Sequence, residues 1–199
     1  EVLSSDQLNA LESRDLQALT TVQVQSLSTA QLASLSSDQV LLLTSGQIRA
    51  LNSAQISSLS TDQMPLLSTS QLASLSSVQI QYFTSDQLNS LQSSVIQALT
   101  TVQIQGLTTA QLSNLSTDQV QTLTTSQIAT LTSTQLRSLS SDQLNALETR
   151  DLQVMTSAQL RSLTTSQVTN LSTDQIQTLT TSQVAALTTD QIGALNSDQ

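Results

Sequence analysis

No cysteine, histidine, tryptophan or lysine occurs among these 199 residues. Without Cys or His the chain has no thiol nucleophile, no imidazole general base and no Cys/His zinc site. A disulfide-stapled scaffold is excluded as well. Positive charge is scarce: five Arg stand against 14 acidic residues, for a net charge of −9. Nucleic acids and anionic membrane surfaces are both bound through clustered cations, so neither is an expected partner. No apolar run approaches the ~18–20 residues of a membrane span, and no signal peptide is visible. Proline is confined to Pro65, glycine to Gly46, Gly106 and Gly193, and aromatics to Tyr82 and Phe83. No linker composition divides the chain, so one repeat domain over residues 1–199 is expected.

What is present is a period. Counting from Leu3, every eighth residue to Leu195 opens an octad, and 23 of these 25 positions are Leu, the exceptions being Phe83 and Met155. Position 6 holds only Leu, Ile, Val or Met, and position 5 is Gln in 22 of 25 octads. The consensus is Leu-Ser/Thr-Ser/Thr-x-Gln-Leu/Ile/Val-x-x. A short fixed period marks an array in which each unit buries its apolar face against its neighbours. Glu1-Val2 and Asp198-Gln199 both fall mid-octad, so the chain reads as a segment of a longer array or polymer.

Eight residues of a continuous α-helix sweep about 800°, which would wind the apolar stripe around the helix. A period of 4.0 residues per turn also lies outside the coiled-coil range of 3.5 to 3.67. A chain of short helices with corners fits better. Ser, Thr or Asn at position 2 followed by Gln at position 5 is a capping box. Three octads lack a cap residue, with Glu12, Gln92 and Glu148 at position 2. The same three lack the Gln, with Asp15, Val95 and Asp151 in its place. Joint loss is what a reciprocal hydrogen bond predicts. Positions 3 to 8 should therefore be helical, with the corner at the Ser/Thr cap.

Position 4 carries a second period. Asp6, Asp38, Asp62, Asp86, Asp118, Asp142, Asp174 and Asp198 recur over 24 octads in seven steps, or 24 × 8 / 7, about 27 residues each. The expected fold is all-α: a solenoid of short helices, one per octad, with about 3.4 octads per superhelical turn. Seven layers at ~8–10 Å would give a rod of roughly 60–70 Å.

The motifs Leu-Thr-Thr-Asp-Gln-Ile at 187–192 and Leu-Ser-Thr-Asp-Gln-Val at 115–120 resemble the octapeptide arrays of very large bacterial secreted or surface proteins. The resemblance covers the whole chain. It implies an adhesin, stalk or matrix fibre, and hence an extracellular or cell-surface location.

The remaining candidates are surface features. One Asp per turn cannot supply the six to eight oxygens of a calcium site, and the column reads as a solvated face. The charged clusters Glu12, Arg14, Asp15 and Glu148, Arg150, Asp151 should replace the missing capping box with local ion pairs. Leu41, Leu42, Leu66 and Tyr82 occupy positions otherwise filled by small or polar residues, and form a candidate contact patch. Val22, Ala54, Val78, Val102 and Ala158 form a candidate column for lateral packing. No catalytic, cofactor-binding or metal-binding residue is expected, and no enzymatic activity. The expected function is a structural rod or filament that self-associates end to end or laterally. In end-to-end contact, Leu3, Leu8 and Leu11 would meet Leu187, Ile192 and Leu195. The alternative is a solenoid binding module presenting a surface to a protein, peptide or glycan.

Overall fold

The computed structural model describes residues 4–199; Leu3, which opens the first octad, lies outside them. The described residues form 23 α-helices of four to six residues and one 3-10 turn, Met64–Leu66, with no strand. They divide into two compact units, one ending at Leu99 and the other running from Thr100 to Gln199. The same construction is used within each.

The octad explains each helix. Thr117–Gln121 starts after Ser116, whose backbone is extended at φ −66°, ψ 157°. It ends because Leu123 N–H bonds to the Val120 carbonyl, a tighter three-residue closure at 3.1 Å. The chain then passes through an extended Leu and an extended cap before the next helix begins. Leu131, for example, has φ −60°, ψ 134° and Thr132 has φ −72°, ψ 157°. Such angles suit ordinary L-residues, and no described residue has a positive φ. The corners therefore need no glycine. Only Pro65 disturbs the series. It removes a backbone donor, and its octad closes as the 3-10 turn while keeping the Ser60–Gln63 box.

Helices three octads apart pack on one another. In the first unit Thr21–Gln25 packs on Ser45–Ala50, which packs on Thr69–Ala73. In the second, Thr101–Gly106 packs on Thr125–Thr130, which packs on Thr149–Val154. Side-chain bonds add a second link, to residues 28 to 31 positions back. Spacings of 24 and 31 residues bracket the 27-residue turn expected from the Asp period. The Asp38 and Asp86 helices both pack against the octad that carries Asp62, and the Asp118 helix packs on that of Asp142. All of these Asp residues are exposed.

Positions 1 and 6 form the core. Leu112 is completely buried and Leu115 nearly so, and Phe83 and Met155 fill the Leu position equally well. The two core positions face different ways along the stack. Leu8, Leu16 and Val24 are completely buried although they lie in the first turn, so the following turn covers them. Val184 and Ile192, with no later turn against them among the described residues, are 44% and 45% exposed. This corrects the expected end-to-end contact. Leu8 is not part of an open face, whereas Ile192 is, with Leu187 and Leu195 half-buried beside it.

Leu115→Ala should cost about 2–5 kcal/mol as a core cavity. Ser116→Ala, which removes only a helix cap, should cost about 0.5–2 kcal/mol. Urea unfolding of the two variants measures the difference.

Candidate functional site

The residue with the most demanding surroundings is the position-5 Gln. Its amide serves two helices at once. In the octad of Gln143, Oε1 accepts from Ser140 N–H at 2.8 Å, and Gln143 N–H donates to Ser140 Oγ at 3.1 Å. This is the capping box read from the sequence, and all 22 octads with Gln at position 5 form it, ending with Asn196 and Gln199. The other end of the amide points back along the stack. Gln143 Nε2 donates to Leu112 O at 3.0 Å and to Leu115 O at 2.7 Å. Gln47 does the same to Leu16 O and Leu19 O, and Gln191 to Leu160 O and Leu163 O.

Those acceptors are the carbonyls that a short helix leaves unpaired at its C-terminus. The hydroxyl at position 8 takes another of them: Ser138 Oγ donates to Gln135 O at 2.7 Å, and Thr122 Oγ1 to Gln119 O at 2.8 Å. With the corner Leu N–H bonded to the position-6 carbonyl, the end of each helix is accounted for. Most of the Gln side chains are buried. Burial of an amide is tolerable only because both its ends are bonded.

The three irregular octads lose this arrangement in different ways. Glu12 and Gln92 make no side-chain cap. Val95 stands where a Gln would reach Met64, Pro65 and Leu67, in the octad that Pro65 distorts. At Glu148 a partial substitute forms. Asp151 Oδ2 accepts from Glu148 N–H at 3.1 Å, and Arg150 Nε pairs with Glu148 Oε2 at 2.8 Å. That is the one ion pair recorded among the described residues, so the expected local pairing holds at Glu148 and is not seen at Glu12. Asp151 is only 1% exposed and its Oδ1 has no hydrogen-bond partner. Burial raises its pKa above the usual carboxylate range. The bond from Glu148 N–H and the Arg150 charge act the other way, and the Glu148 charge adds to the rise.

The candidate patch is not one surface. Leu41 is exposed, and Leu42, Leu66 and Tyr82 are half-buried. The helix Ser37–Leu42 packs on Met64–Leu66, which brings Leu41, Leu42 and Leu66 onto adjacent turns. Tyr82 lies over Ser57, whose Oγ donates to the Tyr82 carbonyl at 2.7 Å. In the candidate column Val22, Val78 and Val102 are 72%, 54% and 62% exposed, and Ala54 and Ala158 are exposed too. Val22 and Ala54 sit on turns joined by Gln55 Nε2 to Val24 O at 3.0 Å. A cleft of about 540 Å³ in the first unit is lined by Leu11, Glu12, Arg14, Asp38 and Leu42. The described residues contain no acidic cluster able to hold a metal ion and no helix long and apolar enough to cross a membrane.

The ALTTAQ repeat family matches residues 8–45, 42–69, 91–125 and 144–181, more than half of the chain. The protein belongs to that family. No curated protein matches it.

Gln143→Ala should be as damaging as a core mutation. It removes the cap partner and leaves buried carbonyls on the preceding turn unserved, for about 2–5 kcal/mol in all. Asn145→Ala, on the exposed side of the same helix, should change stability by no more than about 0.5 kcal/mol. Chemical denaturation of both variants tests the contrast.

Proposed function

We propose that this chain is a structural segment that builds a rod or filament of an extracellular bacterial fibre, stalk or adhesin, and that it has no enzymatic role. The observation that carries the reading is the use of the side chains. Positions 1 and 6 fill the core, positions 2 and 5 cap the helices, and the same Gln ties each turn to an earlier one. What remains outside is hydroxyls, Asp and single apolar residues, with no nucleophile–base pair. Resemblance to octapeptide arrays of large surface proteins supports the location.

Self-association fits the same reading. Ile192, Leu187 and Leu195 present partly open apolar surface at one end of the second unit. Val22, Val78 and Val102 offer exposed apolar points for side-by-side contact. A head-to-tail contact does not close on itself and leads to filaments rather than dimers. A second reading, a module that binds a peptide or glycan, rests on the cleft beside Glu12 and Leu42.

Negative-stain microscopy of the purified chain should show rods or filaments, and light scattering should rise with concentration through the micromolar range. Round, monomeric particles at every concentration would remove the structural reading.

A further inference from the structure

Asp151 replaces the one side chain on which the stacking of turns depends, and it does so in a buried position. By the register that takes Gln143 to Leu112, Ser113 and Leu115, and Gln159 to Ile128, Ala129 and Leu131, position 151 faces the carbonyls of Val120, Gln121 and Leu123. Every atom in that set is an acceptor. A Gln there would bring an N–H donor. A carboxylate brings only further acceptors, and Oδ1 is the atom left without a partner.

We propose that the octad 147–154 is an acid-tightened joint, in which a proton on Asp151 Oδ1 supplies the donor that the Gln amide supplies elsewhere. In the protonated form Oδ2 still accepts from Glu148 N–H, while Oδ1–H faces the carbonyl row of the earlier turn. Loss of the proton sets a buried negative charge against those carbonyls, and the link between the turns weakens.

The surroundings do little to hold the ionised form. On its own helix, Arg150 is drawn into its pair with Glu148. The packed helix Thr125–Thr130 carries no charge. The packed helix Thr173–Gln177 carries only Asp174, and the nearby Thr117–Gln121 only Asp118; both are exposed and negative. The elevated pKa of Asp151, caused first by burial, agrees with the geometry. The octad is also not a single accident. Residues 4–17 repeat as residues 140–153 with one difference, Ser13 for Thr149. The spacing of 148 − 12 = 136 residues is 17 octads, a whole number of turns at 3.4 octads each.

The sign is opposite to that of an ordinary paired carboxylate. The folded state holds the Asp151 proton more tightly than the unfolded state. Its contribution is therefore largest below the usual carboxylate pKa and declines as pH rises through the raised one. Thermal unfolding of the full chain between pH 4 and pH 7.5 tests this, with Asp151→Gln and Asp151→Asn beside the parent and Asp142→Asn as an exposed control. Asp151→Gln is expected to raise Tm at pH 7.5 by about 2–4 °C, with the gain shrinking towards pH 4, and Asp142→Asn to show no such trend. A gain that stays constant, or grows as pH falls, overturns the proposal. A carbon-detected NMR titration of the parent chain reads the same proton without any variant. Asp151 should titrate well above Asp142, and titration at or below Asp142 overturns the proposal.

Discussion

Everything in this fold hangs on one primary amide that is both acceptor and donor. A five- or six-residue helix is too short to be stable by itself, and most of its backbone groups lie within four residues of an end. An array of such helices would bring many unpaired N–H and C=O groups into its interior. The position-5 Gln meets that difficulty from both sides. Its oxygen completes the N-terminus of its own helix and its nitrogen completes the C-terminus of an earlier one, as with Gln143 between Ser140 and Leu115. Neither Glu nor Asn can substitute directly. Glu lacks the donor, and Asn is one methylene shorter.

Apolar burial supplies cohesion but not register. Leu at position 1 and Leu, Ile or Val at position 6 interchange with Phe83, Met155 and Met64 without loss of burial, so side-chain shape is loosely specified there. The hydrogen bonds to residues 28 and 31 positions back are strict by comparison, and they set how far the chain advances per turn. The arrangement divides the work: apolar contact drives the turns together, and the amide decides which residues meet.

Much of this was legible because its parts are close in sequence. The capping box joins residues three apart, so the paired loss at Glu12 and Asp15, or Gln92 and Val95, exposed it. The turn length was legible because Asp marks one exposed face. The second role of Gln was not, since its acceptors are backbone carbonyls some 30 residues away, and a carbonyl has no residue signature. The same limit hid the orientation of position 6: nothing in Leu8 or Ile192 indicates whether the earlier or the later turn covers it. Composition alone also grouped Tyr82 with Leu41 and Leu66, although eight-residue spacing places neighbouring octads on different sides of a coil of 3.4 octads.

The backward reach of the Gln amides gives the coil a direction in time as well as in space. Each new turn finds its acceptors already set in the turn made before it, as Gln47 finds Leu16 and Leu19. No bond of the staple waits for a residue more than about four octads ahead. A chain emerging from a ribosome or an export channel can therefore settle turn by turn from its N-terminus, with only its newest few octads unfinished. Contacts of such short range also keep folding fast however many turns are added. For a family built by repetition, the length of the product is then set by the gene and the rate of export rather than by folding.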